Sequence, residues 1–181
     1  MSVARALVTE AEFLSLPEST QRMELIDGEV YVPPSPTFWH QETLSRIMTA
    51  LRNWAATQAG PVTVCQAPMD VRFAPGRVLQ PDGFVLFSLV PPLHEGPIEV
   101  PPALCVEVLS TNRAHDRVTK RYIYAESGVR ELWTVEPAGF VERWSGDGLT
   151  SCETIRDRLR SPLLPGFELE LSTIWPREDG A

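Results

Sequence analysis

The sequence has few cysteines and no long apolar run. Its three cysteines, Cys65, Cys105 and Cys152, are an odd number without a CxxC spacing, which argues against a disulfide framework and against a zinc knuckle. No apolar run reaches the length of a membrane-spanning helix. The N-terminus carries charges and lacks the apolar core of a signal peptide. We therefore expect a cytoplasmic protein.

An excess of positive charge is also missing, because the formal net charge is −8. Proteins that bind nucleic acid usually show a basic patch or a high isoelectric point, so the composition argues against tight, non-specific binding of DNA. It leaves room for a local basic surface, since four positive charges fall within nine positions, at Arg113, Arg117, Lys120 and Arg121.

The length and composition suit one globular domain that spans residues 1–181. Of the 181 residues, 43% are hydrophobic and 22% are charged, as is normal for a soluble domain. A chain of this length can bury a single core of ordinary size.

Periodicity and turn residues predict the order of the elements. Apolar residues at spacings of three and four predict helices, and alternating or nearly continuous apolar runs predict strands. The predicted elements are a short helix capped by Thr9, a hairpin at 22–32 that turns at Asp27-Gly28, a helix at 39–59, strands at 62–73, 79–87 and 103–110, a helix at 112–127 capped by Thr111 or Asn112, strands at 129–136 and 140–144, and a final edge segment around 165–176. This order predicts an α/β or α+β fold, in which a mixed β-sheet is flanked by helices and preceded by an N-terminal hairpin.

Glu107 is the one charge in the strand predicted at 103–110. That strand is almost continuously apolar, as expected of a central strand covered on both faces. A lone ionised carboxylate in such a place is costly unless it is paired or binds a metal. A carboxylate satisfied by an arginine, or one at the sheet edge, is the alternative.

Lys120 is predicted to return to the level of Glu107. From 107 to 111 the strand climbs roughly 13 Å, and from 112 to 120 a helix folding back descends roughly 12 Å. The alternative is that Lys120 pairs with Asp116 on a solvated helix face, as i,i+4 charges often do.

Asp82 can complete a site with Glu107. Two carboxylates from adjacent strands can hold Mg²⁺ or Mn²⁺, which prefer oxygen ligands and keep several waters. A nearby lysine can stabilise negative charge that develops on a phosphate. The alternative is that Pro81-Asp82-Gly83 forms only a turn, since this tripeptide is a strong turn former.

Several runs of the chain together resemble a known family in their order. These are Met23-Glu24-Leu25-Ile26-Asp27-Gly28-Glu29-Val30, the Pro-Pro-Ser-Pro loop at 33–36 followed by His40, Asp70-Val71-Arg72-Phe73, Gln80-Pro81-Asp82, Val106-Glu107-Val108-Leu109-Ser110, the stretch from Asp116 to Lys120, Tyr124, Gly128-Val129 and Glu131-Leu132-Trp133. Over residues 8–145 the sequence resembles the Uma2 family of restriction-endonuclease-like proteins, also called domain of unknown function 820.

The resemblance implies a PD-(D/E)XK nuclease fold and a homodimer. The superfamily lysine is missing from the strand, because Leu109 stands at its position. Relatives with this variation carry the lysine on the following helix, which matches Lys120. The resemblance also implies a site role for Glu24, for which an exposed hairpin carboxylate is the alternative.

The sequence thus predicts a metal-dependent endonuclease that hydrolyses phosphodiester bonds in DNA. Its predicted catalytic residues are Asp82, Glu107, Lys120 and Glu24, with Asp82 and Glu107 as ligands of Mg²⁺ or Mn²⁺. A nuclease fold that no longer cuts and acts as a binding or interaction module is the alternative. The roles of three further residues stay open, namely His40, Asp70 and Tyr124.

Two expectations concern stability and assembly. Substituting Asp82 or Lys120 should leave thermal stability unchanged or raise it, because like charges at 82 and 107 repel when no metal is bound. The chain holds five tryptophans, at positions 39, 54, 133, 144 and 175. Because aromatic residues are enriched at interfaces, some of these rings should lie at a subunit contact.

Overall fold

The computed structural model describes residues 7–17, 21–109 and 115–175. The described helices are α1 Glu10–Leu14, α2 Phe38–Ala55, a π-helical segment His115–Lys120 and α3 Arg121–Glu126, with short 3-10 turns at Asp147–Leu149 and Leu171–Thr173. The described strands are β1 Glu24–Ile26, β2 Glu29–Tyr31, β3 Thr63–Gln66, β4 Val71–Ala74, β5 Arg77–Leu79, β6 Gly83–Leu86, β7 Leu104–Val108, β8 Glu131–Glu136, β9 Phe140–Ser145, β10 Ser151–Ile155, β11 Arg158–Arg160 and β12 Glu168–Glu170.

The main sheet contains six strands in the order β10-β9-β8-β7-β6-β3. Strands β7 and β8 run parallel, whereas the other neighbours are antiparallel, so the sheet is mixed. Strand β7 lies inside the sheet between β6 and β8, and all five of its residues are buried. The predicted central strand and the predicted fold class are confirmed.

The N-terminal segment forms the predicted hairpin. Asp27 and Gly28 both have positive φ, 51° and 89°, as a type I′ turn requires. The hairpin joins β5 and β4 in a smaller antiparallel sheet of order β2-β1-β5-β4. Ahead of it, α1 begins at Thr9 with the predicted capping box, in which Thr9 and Glu12 exchange hydrogen bonds.

Two predicted strands are each divided between the two sheets. The run 62–73 breaks at Pro68, so β3 joins the main sheet and β4 joins the smaller one. The run 79–87 breaks at Pro81 in the same way, between β5 and β6. Proline has no N–H for a strand ladder, which explains both breaks. The prediction of one unbroken strand at 62–73 was wrong, whereas the interruption of the run 79–87 at Pro81-Asp82-Gly83 is part of the sequence pattern. Strands β3, β6, β7 and β8 are neighbours, as predicted.

Helix α2 and a C-terminal ribbon cover one face of the main sheet. Helix α2 begins at the N-cap Thr37 and ends at Ala55, four residues short of the predicted end. Its apolar stripe packs on residues from β7, β8 and the ribbon β11–β12. The stripe consists of Leu44, Ile47, Met48, Leu51 and Trp54.

Helix α3 and the smaller sheet cover the opposite face. Ile123 and Tyr124 of α3 pack with Phe73 of β4 and with Cys105 and Leu132 of the main sheet. The predicted caps Thr111 and Asn112 lie outside the described residues, as do Arg113, the side chain of Arg117 and Pro176. In the described part, the predicted helix 112–127 is π-helical before it becomes α-helical.

The tryptophan side chains have partners within the chain. Trp54 and Trp133 belong to the core, and Trp39 stacks on Trp175 with ring centroids 6.1 Å apart. The guanidinium carbon of Arg121 lies 4.0 Å from the ring centroid of Trp144. These contacts within the chain do not test a contact between subunits, so the homodimer, the tryptophans at a subunit contact and the cytoplasmic location stay predictions. None of the described helices combines the length and the apolar composition that crossing a membrane requires.

Gly83 brings α2 into close contact with the first residue of β6. A Cβ at this position would lie 2.4 Å from Sδ of Met48 and 3.6 Å from Cδ1 of Leu44. Met48 is fully buried, so its side chain can move only by repacking the core. The residue next to Asp82 is therefore constrained by packing.

We expect Gly83→Ala to lower the free energy of unfolding by about 1–3 kcal/mol, because it overpacks this contact. Gly60→Ala is the matched control, since none of the described atoms would lie within 4 Å of its new Cβ, and it should be neutral or slightly stabilising. Urea denaturation measures both. Equal stability of the two variants would contradict the packing argument.

Candidate active site

Strand pairing brings Asp82 and Glu107 together. In the antiparallel pair β6–β7, Gly83 is opposite Val106, so one step further Asp82 stands opposite Glu107. Directly opposite residues project on the same face with their Cβ atoms about 4.5–5.5 Å apart. Oδ2 of Asp82 accepts a hydrogen bond from the backbone N–H of Val108 at 2.9 Å, which fixes the carboxylate beside Glu107.

Lys120 returns to Glu107, as the rise of strand and helix predicts. Its Nζ lies 3.1 and 3.3 Å from the two carboxylate oxygens of Glu107. Only 3% of Lys120 and 2% of Glu107 is exposed. The alternative of a solvated pair with Asp116 is therefore wrong for Lys120, while the side chain of Asp116 lies outside the described residues.

Glu24 joins the same cluster from the N-terminal hairpin. Its side chain is fully buried, and Oε1 lies 3.0 Å from Nζ of Lys120. The same oxygen accepts a hydrogen bond from the backbone N–H of Gln80 at 3.1 Å. The alternative of an exposed hairpin carboxylate is wrong, and the catalytic role of Glu24 stays a prediction.

Arg22 holds two of the carboxylates and was missed from the sequence. It donates to Asp82 at 2.7 Å and to Glu24 at 3.2 Å. Arg22 begins the predicted hairpin and comes just before β1, but it belongs to none of the runs that carry the family resemblance. It stands two residues before Glu24 and therefore on the same side of an extended chain, which is the signal that could have pointed to it.

His40 contacts Asp82 and does not cap its helix. The N-cap of α2 is Thr37, whose hydroxyl accepts from the backbone N–H of His40. Nε2 of His40 lies 3.0 Å from Oδ2 of Asp82. Because an ionised carboxylate can only accept, Nε2 carries the proton. The buried Nδ1 has no hydrogen-bond partner among the residues that the structure describes.

Tyr124 lies within the cluster, and Asp70 lies outside it. The hydroxyl of Tyr124 donates to Oε1 of Glu107, and the side chain is fully buried. Asp70 instead accepts from the side-chain amide of Gln80 at 2.9 Å. Because the backbone N–H of Gln80 bonds to Glu24, Gln80 lies between Asp70 and the cluster. Among the described residues, Asp70 makes no contact with Asp82 or Glu107.

The charges of the cluster set the protonation of its members. Burial by itself raises the pKa of Asp82, but the hydrogen bond with His40 and the charge of Arg22 hold that pKa well below its usual value. Burial lowers the pKa of Lys120, but the carboxylates of Glu107 and Glu24 raise it above its usual value. Burial, and then the charge of Glu107, raises the pKa of Tyr124. At neutral pH, Asp82 is ionised, Lys120 is charged and Tyr124 keeps its proton.

This pairing overturns the expectation about stability. Asp82 and Glu107 do not face each other as unbalanced like charges, because Arg22 and His40 contact one and Lys120 contacts the other. Removing one member of a buried ion pair leaves an uncompensated charge, which is strongly destabilising. Substitutions of Asp82 and Lys120 are therefore expected to lower stability.

A cavity of about 600 Å³ opens above the cluster. Its wall includes Asp82, Glu107, Lys120, Arg22 and His40. The proline loop at 33–36 and the pair Ala67-Pro68 line it as well. The charged groups are thus buried from most directions but face a space that a ligand can enter.

Lys120 carries a further signal in the sequence. It is the only lysine among the 16 lysine and arginine residues of the chain. A compact ammonium on a flexible stem differs from the planar guanidinium of arginine. The one position that has a lysine is therefore the one at the centre of the cluster.

The comparisons with known proteins agree with the resemblance to the Uma2 family and with this fold. A family model, Uma2, described as "Putative restriction endonuclease", matches residues 10–172. Among solved structures, the chain is similar to a protein from Anabaena variabilis described as "a putative nuclease belonging to DUF820". The two share 21% identity and a TM-score of 0.75, over 92% of this chain and 97% of that one. The comparison with curated proteins gave no match.

Lys120→Ala is expected to lower the free energy of unfolding by about 3–5 kcal/mol, because Glu107 and Glu24 lose their shared buried cation. The loss should shrink as the pH falls, since a carboxylate without its cation takes up a proton. Arg160→Ala is the control, because that side chain is 60% exposed and should cost less than about 1 kcal/mol. Urea denaturation at several pH values measures both, and equal losses would argue against a buried charge cluster.

Asp82→Asn is expected to lower stability by about 1–3 kcal/mol at pH 7, because Arg22 and His40 lose a charged acceptor. The folded pKa of Asp82 lies below its unfolded value, which is about 3.9. Its stabilisation is therefore fully present above that unfolded value and is lost as the pH falls through the folded pKa. The difference in the free energy of unfolding between wild type and Asp82→Asn should therefore become smaller in acid. Asp157→Asn, at an exposed position, should unfold with the same free energy as the wild type. A difference for Asp82→Asn that is the same at every pH would contradict this assignment.

Proposed function

The chain belongs to the Uma2 family, and from this premise we propose that it is a metal-dependent endonuclease that hydrolyses phosphodiester bonds in DNA. The observation that carries the proposal is the meeting of Asp82, Glu107 and Lys120 at the base of one cavity. Two carboxylates and one ammonium are the groups that hydrolysis of a phosphodiester with a bound Mg²⁺ or Mn²⁺ requires.

The donor set suits a hard divalent cation. Asp82 and Glu107 offer carboxylate oxygens from opposite positions of two strands, and Mg²⁺ is commonly held by one or two carboxylates with water completing its shell. The carboxylates of Asp82, Glu107 and Glu24 face the two cations Arg22 and Lys120. Carboxylate oxygens in the wall of the cavity are the ligands that such a divalent cation prefers.

Each protein group then has a role in the proposed reaction. Asp82 and Glu107 would hold the metal ion, which would supply an activated water and offset charge on the phosphate. Lys120 stabilises the negative charge that develops on the phosphate oxygens. His40 positions the carboxylate of Asp82, and Tyr124 positions that of Glu107, through the hydrogen bonds they make with these acids.

A nuclease fold that binds without cutting is the second candidate. The carboxylate oxygens of Asp82 and Glu107 already accept hydrogen bonds from protein groups. In the residues described, no group of three or more His, Cys, Asp or Glu side chains is arranged to hold a metal ion. Both observations favour a site that is satisfied without metal, and titration separates the two candidates.

Calorimetric titration with Mn²⁺ should detect binding to the wild type and weaker binding to Asp82→Asn, because a neutral amide is a poorer ligand for a hard cation. Asp157→Asn should bind as the wild type does. Equal affinity in wild type and Asp82→Asn would refute the metal site and leave the non-cutting module as the better candidate.

Nicking of supercoiled plasmid in Mn²⁺ tests the reaction itself. Lys120→Ala should abolish cutting, and Lys120→Arg should reduce it by about 100-fold or more, because the positive charge is no longer placed correctly against the phosphate. Lys120→Arg keeps the charge beside Glu107 and Glu24, so it separates a lost fold from a lost reaction. Unchanged nicking by a folded Lys120→Arg protein would remove Lys120 from the chemistry.

A further inference from the structure

The charged groups of the candidate site lie at the bottom of a cavity and not on an open surface. Asp82, Glu107 and Lys120 are each at most 3% exposed. The cavity of about 600 Å³ has the size of a pocket for a small molecule, roughly 300–1,000 Å³. A base-paired duplex cannot enter a space of this size, whereas one unpaired nucleotide can be inserted into it.

An aromatic ring and several apolar residues lie in the wall of the cavity. The exposed lining residues include the apolar Val32 and Pro36 beside the polar Ser35 and Gln41, and the partly exposed ring of Tyr31 lines the same wall. Aromatic side chains beside a nucleic-acid channel stack on unpaired bases, whatever the base.

Two cations are described in the wall of the cavity. These are Arg22 and Lys120, and both lie in ion pairs. Binding of duplex DNA depends on many phosphate contacts from Lys and Arg, and the chain has a net charge of −8. Among the described residues of the wall, few cations are therefore available to track the backbone of a duplex.

From the depth of the cavity, the ring of Tyr31 in its wall and the position of Lys120, we propose that the cavity takes one unpaired nucleotide of single-stranded DNA. The base lies against Tyr31, and its phosphate reaches toward Lys120. This inference rests on the proposed function, because it takes DNA as the substrate, and it names single-stranded or locally unpaired DNA as the substrate class.

Fluorescence anisotropy in Ca²⁺ buffer compares a labelled oligothymidine with a fully paired duplex of the same length. The single strand should bind the wild-type protein at least about tenfold more tightly, as base stacking implies. Equal or tighter binding of the duplex overturns the inference, and so does the absence of binding to either probe.

Variants at Tyr31 test the stacking itself. Tyr31→Ala should weaken binding of the oligothymidine about tenfold, whereas Tyr31→Phe, which keeps the ring, should bind as the wild type does. Tyr122→Ala is the matched control, since Tyr122 is 59% exposed and bonds to Glu126 outside the cavity. A loss as large in the control, or no loss in Tyr31→Ala, overturns the assignment.

Cleavage of the same two probes in Mn²⁺ separates this inference from the proposed function. Cutting of the single strand with little cutting of the duplex supports both. Equal cutting of the two probes overturns the substrate class and leaves the nuclease function standing. A preference for binding the single strand, with neither probe cut, supports the cavity's ligand and overturns the reaction.

Discussion

The buried ammonium of Lys120 is the group on which the arrangement of this molecule depends. It lies between Glu107 of the central strand and Glu24 of the N-terminal hairpin, so one charge joins the main sheet, the smaller sheet and the π-helical segment before α3. Burying three charges is costly unless each is paired at good geometry. The packing of both sheets against α3 therefore has to preserve this cluster. The ion pairs of Lys120 that stabilise the fold are also the contacts of the proposed active site.

The ion pairs of the cluster also bear on how a chain with a negative net charge could bind a phosphate. Arg22 and Lys120 neutralise carboxylates when nothing else is present, yet both face the cavity. A carboxylate and a phosphate are alternative partners for such cations. Local charge at the bottom of the cavity, and not the net charge of the chain, decides whether an anion is attracted there.

Local patterns in the sequence predicted the central parts of the fold and of the site. The apolar run around Glu107 identified β7, and the rises of strand and helix placed Lys120 beside it. Contacts between distant segments were not predictable in this way. Arg22 reaches Asp82 across 60 positions, and His40 reaches it across 42, so neither pair has a local spacing. The chain passes from one sheet to the other at Pro68 and at Pro81, and the local pattern does not tell which sheet a strand joins.

The choice of lysine at position 120 is informative beyond its charge. A buried cation that only balanced Glu107 and Glu24 could be an arginine, whose planar fork suits carboxylates, and the chain uses arginine at every other basic position. An ammonium is more compact and its three donors rotate freely. It can therefore contact two carboxylates and still turn toward a third anion from the cavity. The one lysine of the chain thus stands where the proposed reaction needs a movable positive charge and where a purely structural role does not require it.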